Sequence, residues 1–201
     1  MSDVARNDAV ERNLAVVRRV YDEVINEGKL DVAAELTTPQ TQVHVPFAHP
    51  GHGTSGLQKI AAGLREGFPD IRVEVDDIFG VDDKVVARWK TTRQTHTGEY
   101  RGLPPTGKEV RVTAIQVFRL ENERIMEFWL EMDQLNAVRQ MGVVAPEHYQ
   151  GPRLGLFVLG SVFRMGFLTA RHGIAGKRRA KAGGAVNGGG ARTPEQTATK
   201  S

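Results

Sequence analysis

In the segment RIMEFWLEMDQLNAVRQMG, Arg124 to Gly142, the side chains best suited to chemistry alternate. Read as a strand, Ile125, Glu127, Trp129, Glu131 and Asp133 share one face, while Met126, Phe128, Leu130 and Met132 share the other. Three carboxylates facing an apolar interior repel one another, which holds at least one protonated near neutrality. Desolvation also raises the proton affinity of a carboxylate, so that it can take a proton from a carbon flanked by carbonyls. A tryptophan between two acids reads as a pocket wall, so this face is expected to point inward. On that reading Asp133 is the base, Glu131 and Glu127 are its alternates, and Glu127 is also taken as a substrate contact. A competing role exists for Asp133, because an aspartate before QLNAVRQMG is a preferred helix N-cap. Amide donors weaken a carboxylate as a base, so capping and proton abstraction oppose each other.

Other polar candidates lie on neighbouring segments. His44, in VHVP, stands at a strand end from which it could shuttle a proton, and His49 and His52 follow in HPGHG. Loop histidines commonly hydrogen-bond backbone, and no helical H-x-x-x-H or carboxylate spacing accompanies these, so no metal site is expected. On the long strand from Lys84, Arg88 alternates with Trp89, a pocket or core residue, and both are taken as substrate contacts. His96 opens a Gly/Pro loop and reads as a rim donor or a turn residue. Covalent routes lack support: cysteine is absent, no Gly-x-Ser-x-Gly elbow occurs, and the glycines of GEYRGLPPTG match no phosphate-binding pattern. No cofactor is expected.

The elements that must position these residues follow from periodicity. Val10, Leu14, Val17, Tyr21 and Val24 mark an amphipathic helix from Asp8 to Asn26, closed by Gly28. LDVAAELTT reads as a short second helix, and SGLQKIAAGLREGF as a third, with Leu57, Ile60, Leu64 and Phe68 on one face. The period then changes to two through Ile71, Val73 and Val75 and through DKVVARWKTTRQTHT, KEVRVTAIQVFRL and RIMEFWLEMD. Turn residues at Asp82-Asp83, Gly102 to Gly107 and Glu121 to Glu123 separate these runs, giving an antiparallel meander. Helices followed by a curved sheet make the fold class α+β.

The net charge of +3 averages two unlike parts. Residues 1–145 carry eighteen basic and twenty-two acidic side chains, and the remainder nine basic and two acidic. The basic residues of the tail sit among Gly and Ala, not among aromatics on a folded surface, so nucleic-acid binding is not expected. Residues 1–145 are read as one domain, 146–173 as an amphipathic helical extension, and 174–201 as a low-complexity disordered tail. Within the extension, Arg153, Arg164 and Arg171 fall on one helical stripe beside an apolar run, Leu154 to Phe163, too short to span a bilayer. Such a helix suits docking on the sheet or a partner subunit, or weak contact with a membrane surface over 152–172. The polar N-terminus has no apolar signal segment, so the expected place is the cytoplasm, with peripheral contact at the inner membrane surface open.

Three stretches, FPDIRVEV, THTGEYRGLPPTGKEV and FRLENERIMEFWLEMDQLNAVRQMG, together resemble the SnoaL-like polyketide cyclase or ester cyclase family of the NTF2-like superfamily, over Asn13 to Val143. That resemblance implies a cone, a curved mixed sheet around helices with a deep apolar pocket, with a brief added strand at TQVHV and assembly as a homodimer or tetramer. It implies cofactor-free aldol-type ring closure of a small apolar carbonyl or polyketide-like substrate, with an aspartate as base. His44 matches an H-x-P position of the family. Gln116, taken as a polar partner of the base and a substrate contact, stands where some cyclases carry histidine, and Leu130 where an acid is common. Those two departures support a second reading, a ligand-binding module without turnover. A third is epoxide or ester hydrolysis by paired acids.

Overall fold

The computed structural model describes residues 3–46, 51–146, 148–163 and 166–167. Helix α1 spans Asp3–Arg19 and runs without a break into a π-helical segment, Val20–Asn26. Val17, Val20, Tyr21 and Val24 are buried on this stretch, the stripe that sequence periodicity marks. The wider turn ends where Gly28 adopts φ +75°. The Arg65 guanidinium donates to the carbonyls of Ile25 and Asn26 at 3.1 Å each, meeting groups that a helix end leaves unpaired. Asn26 clasps the edge strand: its side chain donates to Val73 O at 2.9 Å and accepts from Val73 N at 2.7 Å.

Helix α2, Val32–Leu36, leads directly into β1, Thr37–His44, so the second helical stretch ends sooner than its sequence suggests. Helix α3 covers Gly53–Gly67, followed by β2, Arg72–Val81, β3, Lys84–Arg93, β4, Thr113–Glu121, and β5, Arg124–Met132. The sheet order is β1-β5-β4-β3-β2, with β1 parallel to β5 and every other pair antiparallel. This is the expected meander with one parallel strand added at its edge. The concave side packs on the helices through Val85, Ala87, Phe118, Ile125 and Phe128. Short helix α4, Gln134–Gln140, closes one end. A further helical run, 152–163, here α5, falls inside the expected extension, while 174–201 lie outside the described residues.

Candidate functional site

A cavity of about 70 Å³ lies between the concave sheet face and the helices. The π segment supplies Val20, Tyr21 and Ile25, α3 supplies Leu57 and Leu64, the sheet supplies Trp89, Thr91, Gln116, Leu130 and Met132, and α4 supplies Ala137. Tyr100 and Phe68 complete the wall from the loops. Among the described lining residues the polar atoms are neutral: the Tyr21 and Tyr100 hydroxyls, the Thr91 hydroxyl, the Trp89 indole N–H and the amides of Gln94 and Gln116. The Tyr21 hydroxyl donates to Gln116 Oε1 at 2.9 Å. Its ring meets Trp89 at a centroid distance of 6.2 Å and Phe118 edge-on at 6.3 Å. Burial drives the Tyr21 pKa far above that of a free phenol, an effect the nearby Trp89 indole only partly offsets, so Tyr21 remains a donor at any physiological pH. Trp89 Nε1 and Gln94 Oε1 are buried with no hydrogen-bond partner in the described structure. Such atoms are costly to leave unmade, and they give an entering polar ligand something to satisfy.

The acidic face of β5 points the other way. The β4–β5 register shifts between Arg119/Glu127 and Leu120/Ile125, leaving Met126 as an extra residue. This bulge turns Ile125 inward, out of step with simple alternation, and beyond it Phe128, Leu130 and Met132 face the helices. Glu127, Trp129 and Glu131 therefore lie on the convex face, contrary to the inward orientation expected from sequence. Trp129 is not a pocket wall: it stacks on the His44 imidazole at 5.3 Å with an interplanar angle of 9°. His44 Nε2 donates to Glu127 Oε1 at 2.8 Å, and Arg119 Nε donates to Glu127 Oε2 at 3.3 Å. Glu131 is exposed. Asp133 is exposed too, and its carboxylate accepts from Asn136 N at 2.9 Å as the N-cap of α4. Of its two expected roles, the structure displays the cap.

The remaining candidates divide. Trp89 and Gln116 line the cavity as expected. Arg88, the neighbour of Trp89 on the opposite face, pairs with Asp76 at 2.9 Å and Asp77 at 2.6 Å on the convex side. His96 is fully buried, so it is neither a rim donor nor an exposed turn residue. Its Nδ1 accepts from Thr106 N at 3.3 Å and lies 3.0 Å from Thr106 Oγ1, which assigns the proton of the neutral ring to Nε2. Burial lowers its pKa, which keeps the ring neutral. His52 is exposed before α3, and His49 lies outside the described residues.

Two sequence motifs act by fixing the loop that carries Tyr100. In the FPD motif, Phe68 packs into the cavity wall and Asp70 accepts from Thr95 N at 2.8 Å and Thr95 Oγ1 at 2.7 Å. Burial pushes the Asp70 pKa up, but the Thr95 donors and nearby Arg93 outweigh it, so the carboxyl lies below its usual value. Thr97 N and Gly98 N both donate to Gly67 O, at 3.1 and 3.0 Å. A Cβ on Gly98 would stand 1.8 Å from Glu66 O, so the loop can approach α3 this closely only with glycine there.

The family model for SnoaL-like polyketide cyclases matches residues 15–141, more than half of the chain. The chain belongs to the SnoaL-like polyketide cyclase family. Among solved structures, a candidate SnoaL-like polyketide cyclase from Jannaschia sp. CCS1 is 25% identical, with a TM-score of 0.62 over 68% of this chain and 95% of that one. IdmH, a candidate polyketide cyclase from Streptomyces antibioticus, is 29% identical, with a TM-score of 0.56 over 65% and 99%. AclR, a candidate hydroxylase from Streptomyces galilaeus, is 20% identical with a TM-score of 0.59 over 68% and 99%, a likeness of fold alone. No match is found among curated proteins. The SnoaL-like chain thus has the α+β, NTF2-like cone, with an open, curved five-stranded sheet. Family membership supports a cyclase or isomerase-type role.

Four polar lining residues of this SnoaL-like chain were not among the sequence candidates: Tyr21, Thr91, Gln94 and Tyr100. Tyr21 carried a signal, being the one hydroxyl on an otherwise aliphatic helical stripe. Gln94 carried none, since it follows the regular part of β3, where alternation no longer fixes a face.

Proposed function

We propose that the cavity takes a small, largely apolar 1,3-dicarbonyl compound that carries a further carbonyl along its chain, and promotes its ring closure by hydrogen bonding at a carbonyl oxygen through the Trp89 indole N–H, the Gln116 amide N–H and the Tyr21 hydroxyl, which turns from Gln116 Oε1 to the substrate. The observation that carries this reading is the set of neutral, desolvated donors facing a cavity whose described lining contains no carboxylate, imidazole or amine. Donors of this kind stabilise an enol or enolate oxygen where water does not compete. A 1,3-dicarbonyl substrate needs no strong protein base, because its enol already holds the α-carbon proton on oxygen. The enol carbon attacks a further carbonyl carbon farther along the same molecule, a C–C bond forms as that C=O π bond opens, and that oxygen takes the enol proton to become a new hydroxyl. Atoms are conserved, so neither a cofactor nor a co-reactant is required.

Descriptions of similar structures as candidate polyketide cyclases support the reaction class. Size limits the substrate. An apolar cavity that accepts benzene measures about 150 Å³, so a volume of about 70 Å³ admits a fragment. A ring-bearing ligand must displace Tyr100 or the Ala137–Met141 edge. Hydrolysis of an epoxide or ester by paired acids gains no support, because the described lining brings no two carboxylates together.

The absence of an ionisable base from the described lining also favours a second reading, ligand binding without turnover. One experiment separates them. In a Trp129→Phe background Trp89 is the sole indole, so its emission reports cavity occupancy while product formation is followed in the same samples across a panel of 1,3-dicarbonyl compounds. Quenching accompanied by product supports the cyclase reading, and quenching without product supports binding alone. A panel that leaves Trp89 emission unchanged overturns both.

A further inference from the structure

Helix α5 keeps most of its apolar side chains in solvent. On its wheel Phe157 and Ser161 lie 40° apart and are its least exposed side chains: Ser161 is buried, and Phe157 meets Tyr149, in the segment just before the helix, edge-on at 5.7 Å. Leu154, Leu156, Val158, Leu159, Val162 and Phe163 spread over the remaining arc, with 39% to 71% of their surface exposed. Phe167 continues this exposed set at 67%. A surface helix of a globular protein presents the opposite arrangement, with its apolar arc against the core and its polar side in water. A contiguous outward apolar arc of this kind marks a surface that something covers.

Charge identifies what covers it. Residues 152–201 hold nine Lys or Arg against one Glu, a net of +8, whereas the preceding residues hold eighteen against twenty-three, a net of −5. Arg171, Lys177, Arg178, Arg179 and Lys181 follow the helix closely in sequence. A second copy seated on the arc would bring two such basic segments together, and RNA would find no use for an aliphatic surface. An anionic lipid surface satisfies both features, since acyl chains receive the apolar arc and headgroup phosphates attract the basic residues. No described helix is long and apolar enough to cross a membrane.

We propose that α5 is an interfacial anchor that lies flat on an anionic membrane, with Leu156, Leu159, Val162 and Phe163 inserted at the headgroup boundary and the positive charge that follows it in sequence adding attraction to the phosphates. The element lies beyond the family match, so the anchor is an addition to the cyclase-type body. It would place the protein where apolar carbonyl compounds partition.

The test is co-sedimentation of the full chain with two sets of vesicles, one of phosphatidylcholine alone and one containing about one third phosphatidylglycerol. Binding is expected to be at least about tenfold tighter to the anionic vesicles and to weaken with salt. Two variants divide the contributions: Leu156→Glu with Phe163→Glu removes insertion, and Lys177→Gln, Arg178→Gln, Arg179→Gln with Lys181→Gln removes the charge. Each is expected to reduce anionic-vesicle binding by about tenfold or more while the body melts as before. Failure to sediment with either vesicle, or equal binding to both, overturns the proposal. So does a Leu156→Glu, Phe163→Glu variant that converts an oligomer to a monomer in a chain that ignores vesicles, which would assign the arc to a second copy.

Discussion

Replacing Gly98 by alanine should loosen the loop that carries Tyr100, and the cost can be built up from contacts. The added Cβ would fall 1.8 Å from Glu66 O and 2.9 Å from Glu66 C. Both are backbone atoms at the end of α3 and cannot rotate away. Relief to an ordinary contact demands a shift of roughly 1.2 Å or more, given that real Cβ contacts begin near 3.0 Å. Such a shift stretches the Thr97 and Gly98 N–H bonds to Gly67 O, now 3.1 and 3.0 Å, beyond useful length. At about 1 kcal/mol for each bond, plus a carbonyl left short of partners, the loss is about 2–3 kcal/mol. For a folded body of this size that lowers the melting temperature by roughly 5–10 °C. Gly63→Ala is the control: it adds a Cβ on α3 with no heavy atom within 4 Å and should stabilise by about 0.5–1 kcal/mol. The assay is thermal unfolding of both variants beside the parent. A Gly98→Ala protein that melts with the parent would refute the claim that this close approach fixes the loop.

Acid should weaken the fold in two stages, read by denaturant midpoints across pH. His96 is held neutral in the fold, so the unfolded chain takes up a proton first, and stability falls as pH drops below about 6.5. His96→Gln, which keeps an acceptor for Thr106, should abolish this first stage. Asp70 has a lowered pKa, so its contribution is intact above the usual 3.8 and is lost only as pH falls through its depressed folded value. Asp70→Ala should cost about 2–4 kcal/mol at neutral pH through loss of both Thr95 donors to a charged acceptor, and should flatten the lower stage. On the convex face, His44→Ala and Arg88→Ala should leave turnover within about twofold of the parent, since the first removes a partly exposed hydrogen bond to Glu127 and the second partly exposed pairs with Asp76 and Asp77, all away from the cavity.

The sequence carried the architecture further than the site. Helical stripes and alternating runs place α1, α3 and the four meander strands because those periods are set by burial along whole elements. The site turned on one residue. An extra residue at Met126 moves Ile125 to the inner face, and a bulge leaves no compositional mark in an apolar run. Trp129 then misleads, because its partner is His44 on β1, and a parallel pairing between residues eighty-five positions apart is invisible to local pattern. FPD and THTG were legible as motifs, yet their physical work, tying a loop to α3 through Asp70 and Gly98, depends on distances that no spacing supplies.

The central claim is that the neutral donors of the cavity, with Tyr21 foremost, act on the substrate while Asp133 only caps α4. It is tested most directly by turnover of one responsive 1,3-dicarbonyl compound by Tyr21→Phe and Asp133→Asn, each set against the parent. Loss of a donor to a developing oxyanion should lower kcat for Tyr21→Phe by about a hundredfold, with Asp133→Asn within about twofold of the parent because asparagine also caps well. An Asp133→Asn enzyme that is inactive beside a Tyr21→Phe enzyme of undiminished rate would contradict that assignment.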